Sequence, residues 1–182
     1  RIEMKMRAAN GMKYLLISPG NYGISFSKEN LFIPMEYSIK CSNYVGETID
    51  MAVELELEGV LFVSHIGKFI KVAGGIMNTH SRFADSRMEI LAANAIRAGA
   101  PLSVTKEILD CLTTDEAIRV LKDTGFLEKT MELVVEKIKY YIDHRAYDRI
   151  ETGVIIFSNE YGMLGKTKNV EEIVKCLENY TE

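Results

Sequence analysis

The tetrapeptide Val60-Leu61-Phe62-Val63, bounded by Gly59 on one side and by Ser64-His65-Ile66-Gly67 on the other, most constrains what this chain can fold into. Four consecutive large apolar residues between turn signals fit a strand buried on both faces, the usual state of a strand inside a parallel sheet. An earlier apolar run, Met12 to Ile17, ends in Ser18-Pro19-Gly20-Asn21-Tyr22-Gly23 and reads as a second buried strand entering a tight loop. Between the two, Tyr37 to Lys40 is a weaker strand candidate. Val45 to about Leu57 keeps helical spacing, with Ser42 or Asn43 available to cap it and Gly59 to stop it. Strand, helix and strand in that order predict an α/β fold, a mostly parallel sheet flanked by helices, whose ligands bind beyond the carboxyl ends of the strands.

The middle of the chain reads as an inserted helical stretch: Ala84 to about Ala98, Val104 to Cys111, Thr114 to about Asp123, and Leu127 to His144. In the last of these, Leu127, Met131, Val134, Val135, Ile138 and Ile142 fall on one face, which we read as core. Gly153 to Phe157 is a late strand and Val170 to Tyr180 a closing helix, while Ser27 to Ile33 (SKENLFI) reads as a surface helix end. A length of 182 residues suits a single domain, 1–182.

A hydrophobic share of 47% is ordinary for a globular chain, and no apolar run approaches membrane-spanning length. The net charge of -4 and the lack of a dense Lys/Arg block exclude a generic nucleic-acid surface, although local basic clusters can still bind small anions. Cys41, Cys111 and Cys176 are widely spaced and form no CxxC pair. Neither a disulfide framework nor a thiolate metal site is expected, and a reducing, cytoplasmic setting is. The chain opens RIEMKM, without an initiating Met or a signal-peptide pattern, which suggests a piece of something longer.

Four stretches carry possible chemistry. In SPGNYG, glycines after a strand let backbone N–H groups approach an anion or nucleotide; a plain tight turn is the other reading. In SHIGKFIK, His65, Gly67 and Lys68 should lie at the sheet's ligand edge. Lys68 and Lys71 share a helical face if Gly67 opens a helix, and a solvated lysine pair is the alternative. In GGIMNTHSR, the pair Gly74-Gly75 breaks the helix, and Asn78, Thr79, His80 and Arg82 then project from irregular backbone as donors for carboxylates. His80 is either a general base or hydrogen-bond donor, or a satisfied structural histidine. In ADSRMEIL, read as helical, Asp85 and Glu89 share a side while Arg87 points elsewhere. The two carboxylates suit orienting nearby Arg and His better than independent acid–base work.

Taken together, PGNYG, the segment from His65 to Lys68, KVAGGIMNTHSRFADSRMEILAANA and the C-terminal VIIFSNEYGMLG resemble the CbiD family, the cobalt-precorrin-5B C1-methyltransferases of anaerobic cobalamin biosynthesis. The resemblance spans nearly the whole chain but corresponds to the family's C-terminal half, so it implies a missing N-terminal half as partner. It implies transfer of a methyl group from S-adenosylmethionine to C1 of an anionic cobalt-tetrapyrrole. On that reading Gly20, Asn21, Gly23, His65 and Gly67 lie near the cofactor, and Lys68, Lys71, Asn78, Thr79, Arg82 and Arg87 hold the substrate's carboxylates. His80 or Asp85 takes up the proton the substrate loses; no resident metal is implied. A nonenzymatic domain binding an anionic tetrapyrrole is the alternative. A nicotinamide oxidoreductase fits less well, because GxGxxG is missing.

Overall fold

The computed structural model describes residues 1–20 and 38–179. Within them a five-stranded sheet runs in the order β2-β1-β3-β4-β5, with β1 Tyr14–Ser18, β2 Ile39–Lys40, β3 Gly59–His65, β4 Glu151–Ser158 and β5 Gly162–Lys166. The first four are mutually parallel and β5 pairs antiparallel with β4 at the edge. The helices are α1 Ile2–Ala9, α2 Val45–Glu54, α3 Ile66–Phe69, α4 Arg87–Arg97, α5 Leu102–Asp110, α6 Thr114–Asp123, α7 Leu127–Arg145 and α8 Val170–Glu178. The fold is α/β, and the inserted helical stretch is the run from α3 to α7 that joins the neighbouring strands β3 and β4. No helix of the described residues is long and apolar enough to cross a membrane.

Strand periodicity divides the interior in two. Leu15, Ile17, Val60, Phe62, Val154 and Ile156 belong to the larger core, built with α1, α2 and the inserted helices. Leu16, Leu61, Val63, Ile155 and Phe157 turn the other way and pack against Val170, Ile173 and Leu177 of α8. Burial on both faces explains why β3 reads as a continuous apolar run rather than an alternation. In α7, Met131, Val134, Val135, Ile138 and Ile142 are buried as their spacing predicts.

Several boundaries differ from the sequence expectation. The second helix ends at Glu54, and Gly59 belongs to β3, where an added Cβ would meet the Tyr14 ring at 2.5 Å. Its N-cap is Tyr44, without a side-chain cap, because Asn43 is drawn off to Thr79. The helix read from Ala84 begins at Arg87. The ADSRMEIL carboxylates therefore do not share a helical side, and Arg87, far from pointing elsewhere, makes a two-pronged contact with Asp85 at 2.7 and 3.0 Å. Neither α1 nor β5 was expected from the pattern. The SKENLFI segment, together with Asn21 and Gly23, lies outside the described residues.

Candidate functional site

β1 is followed in sequence by its neighbour β2 on one side, whereas β3 lies on the other side of β1 and is followed by its outer neighbour β4. The connections thus diverge at the carboxyl ends of β1 and β3, and this switch point is where a parallel sheet leaves a crevice for a ligand. Lys68 of α3 reaches across it, its Nζ donating to the Pro19 carbonyl just past β1 at 2.7 Å. Gly20, next in the chain, is uncrowded by the described residues: among them a Cβ there would have the Lys68 Nζ as its nearest neighbour, 4.0 Å away.

α3 is seated by His65, whose Nδ1 accepts from the Gly67 N–H at 3.1 Å and so caps the helix one residue earlier than the glycine suggested. The proton of the neutral ring therefore sits on Nε2. Gly67 lies close to Thr114 at the start of α6, since an added Cβ would stand 3.3 Å from its Oγ1; packing accounts for this glycine. Beyond α3 the chain tightens into a 3-10 turn, Val72–Gly74, and Gly75 takes φ 81°, the left-handed conformation that releases the chain into the irregular 76–86 segment. Gly74 permits close approach of Ile90, whose Cδ1 would be 2.5 Å from a Cβ.

That segment folds back over the crevice. The Thr79 N–H donates to the Asn43 carbonyl at 3.0 Å and Asn78 bridges to Tyr44, so the loop is stitched to the end of the β2–α2 connection. A cavity of about 390 Å³ results, walled by Asn43, Gly67, Lys68, Lys71, Thr79, His80, Ser81, Asp85 and Arg87. Of the residues singled out from the sequence, Gly67, Lys68, Lys71, Thr79, His80, Asp85 and Arg87 come together here, with Gly20 and His65 adjoining through Lys68 and Gly67. Arg82 is exposed and outside this wall; its N–H donates to His80 Nδ1 at 3.0 Å. Asn78 also stands outside it, its Oδ1 accepting from the His80 N–H. Asn43 and Ser81 were missed as wall residues. Asn43 carried a signal in lying just past the second strand, at the sheet's ligand edge.

The charges are unequal. Among the described wall residues, Lys68, Lys71 and Arg87 face a single carboxylate, Asp85, which the hydrogen bonds from Arg87 hold below the usual range. Burial lowers the Lys68 pKa. Lys71 is only 3% exposed, and its ammonium lies beneath the loop rather than in the open cavity, donating to the carbonyls of Ala84 at 2.9 Å and Thr79 at 3.2 Å. Cys41 is buried, and burial pushes its thiol up to about 11, so it stays protonated and unreactive. At the neighbouring strand end, Ser158 donates to Asp115 at 2.7 Å beside His65. Two larger cavities, about 630 Å³ between α2 and α7 and about 1000 Å³ between α7 and β5, lie away from the switch point.

Burial lowers the pKa of His65 from 6.5, with Asp115 opposing the shift. The unfolded chain then binds more protons than the folded one just below that value. The stability the neutral ring contributes is complete above pH 6.5 and is lost as the pH falls toward the folded value. Urea midpoints measured from pH 7.5 to 5.5 are expected to drop more for the native chain than for His65→Gln; equal drops would contradict this.

What these observations define is a parallel α/β domain with a cation-rich crevice at its switch point. A family model described as CbiD, C-terminal domain, matches residues 78–168, half of the chain, and the chain belongs to the CbiD family. Proteins named cobalt-precorrin-5B C(1)-methyltransferase are similar to it. The one from Ruminiclostridium cellulolyticum is 38% identical over 86% of this chain and 41% of its own length. Those from Clostridioides difficile (37%, over 96% of this chain and 43% of the relative) and Alkaliphilus metalliredigens (36%, 98% and 47%) extend the likeness. The chain spans less than half the length of these curated relatives. No solved structure matches it.

Proposed function

We propose that this chain supplies the tetrapyrrole-gripping part of an S-adenosylmethionine-dependent methyltransferase that acts at C1 of cobalt-precorrin-5B in cobalamin biosynthesis. The observation that carries the reading is the crevice at the switch point, spanned by Lys68 and bordered by Arg87, which offers an acidic protein's local excess of cations to a polycarboxylate macrocycle. The names of the relatives, each acting on that substrate at that carbon, support it.

The methyl donor supplies an electrophilic methyl group on a sulfonium. Bound here, that group would pass to a substrate carbon as the C–S bond opened, the donor leaving as a neutral thioether. Orientation supplies much of the acceleration in such a displacement, up to about 7–11 kcal/mol in well-aligned intramolecular reactions. This chain's part is therefore to bind and align. The room that the described residues leave at Gly20 fits a ligand lying over the end of β1. His65 and Gly67 shape the adjoining wall through their own cap, with the Gly67 N–H already engaged by the His65 ring. Asn21 and Gly23 belong to the same reading by sequence alone.

Of the two proton acceptors, His80 is the better placed chemically. Its Nδ1 accepts from the Arg82 N–H, so the proton of the neutral ring sits on Nε2, and the ring takes up the substrate's proton only through Nδ1 once that amide lets go. Asp85, gripped by Arg87, is a weak base and serves to orient that arginine beside the cavity. Arg82 and Asn78 reach the substrate only where it extends past the cavity wall, Asn78 meanwhile holding the His80 backbone.

Calorimetric titration of the full-length protein with S-adenosylmethionine, and absorbance titration with a polycarboxylate corrinoid, test the reading. Binding of both, followed by appearance of the methylated product, is expected. An absorbance shift with no binding of the methyl donor would favour a nonenzymatic tetrapyrrole-binding domain instead.

A further inference from the structure

We propose that Lys71 is a positioning residue, its buried ammonium clasping both ends of the 79–84 loop and so presetting one wall of the crevice before any ligand arrives. Lysine is almost never buried unless its charge is paired and hydrogen-bonded, because removing an ammonium from water is costly. At 3% exposure Lys71 is such a case. An ammonium has three protons and no acceptor. Here the Ala84 carbonyl lies at 2.9 Å, the Thr79 carbonyl at 3.2 Å, and Asp85 Oδ1 at 3.9 Å on the remaining side. The charge is thereby solvated by protein.

Among the described residues the loop has little else to fix its far end. Its near end is sewn to Asn43 through the Thr79 backbone and hydroxyl. Inside the loop the bonds are local: Arg82 N–H to His80 Nδ1, and Phe83 N–H to the His80 carbonyl. From Ala84 onward, before α4 begins at Arg87, the described contact reaching back to the body of the fold is the Lys71 ammonium, on Ala84 itself and beside Asp85. Asp85 in turn holds Arg87. One lysine thus sets both the arc that presents His80 and Ser81 and the carboxylate that aims Arg87. Two of its three protons are spent on the loop's own carbonyls and the third faces Asp85 at 3.9 Å, so the ammonium serves the loop first. This separates it from Lys68, which spends one on Pro19.

The clasp does not depend on the function proposed above; what the loop is preset to receive does. In the native chain labelled with nitrogen-15, the Lys71 ammonium is expected to give a resolved signal at neutral pH, slow to exchange with water and coupled to the Thr79 and Ala84 carbonyls. Absence of any protected lysine ammonium signal would overturn the proposal. In Lys71→Ala, loop amides from 80 to 86 are expected to exchange at least about tenfold faster while those of β3 and β4 keep their protection. Butylammonium chloride should restore loop protection, and tetramethylammonium chloride, which cannot donate, should not. Acceleration spread evenly over loop and sheet, or rescue by both salts, would contradict the clasp. In the full-length protein the same variant should lose corrinoid affinity more than affinity for S-adenosylmethionine, and equal losses would count against it. Failure of the native protein to bind either probe would sink the functional reading and leave the ammonium spectrum to decide the clasp.

Discussion

Phe62→Ala is expected to cost about 3–5 kcal/mol, a large part of the roughly 5–15 kcal/mol that separates a folded domain from its unfolded ensemble. Phe62 is fully buried in β3, and its ring stands 5.5 Å, centre to centre, from that of Phe69 on α3. The cost is the lost transfer of an aromatic side chain together with the void left between a strand and the helix that rests on it. The damage should also reach the crevice, because α3 bears Lys68 and leads into Lys71. Urea denaturation followed by far-ultraviolet circular dichroism gives the number directly. A cost below about 1 kcal/mol would mean that the β3–α3 contact is not the close-packed one described, since deletions of well-packed aromatic side chains run several times higher.

Lys68→Met should weaken binding of a polycarboxylate corrinoid by about 10- to 100-fold, the equivalent of one charge-assisted hydrogen bond of roughly 1.5–3 kcal/mol. Methionine keeps most of the side chain's length and apolar stem while removing its charge, and Lys68→Arg, which retains the charge, should recover part of the loss. The native protein should bind more weakly as salt is raised, and Lys68→Met should show a shallower dependence. An unchanged affinity in the methionine variant would remove Lys68 from the recognition surface and leave the crevice without its central cation. Binding is to be measured on the full-length protein, since this chain covers less than half of the relatives it matches.

The parts of the fold that were legible in the sequence are those where one physical rule acts alone. Val60 to Val63 are buried on both sides, so their apolar run needs no knowledge of neighbours, and the α7 stripe from Met131 to Ile142 follows from helical geometry. β5 escaped notice because GMLGK holds two glycines and is half exposed at the sheet's edge. α1 was hidden by its charges, with Met4 its one buried residue. The start of α4 was misjudged because ADSRMEIL continues a helical pattern. The helix stops short of Asp85 where a distant residue, Lys71, takes the Ala84 carbonyl, and a local grip of Arg87 on the Asp85 carboxylate joins it. The site shows the same limit. The strand-end rule pointed to Lys68 and residue type to His80, while Arg87, read by pattern as pointing elsewhere, joined them only through the family resemblance; whether a lysine faces a cavity or lies under a loop depends on partners the local sequence does not reveal.

The described groups at the crevice, from Gly20 to Arg87, lie in the first half of the chain, yet β3, which seats them, is flanked along its whole length by β4 from residues 151–158, with Gly59 opposite Glu151 and His65 opposite Phe157. A nascent polypeptide halted after α4 would already contain these described side chains and lack the strand that flanks their platform. The binding surface is encoded early and completed late, so maturation of the pocket must await synthesis of the distal strand.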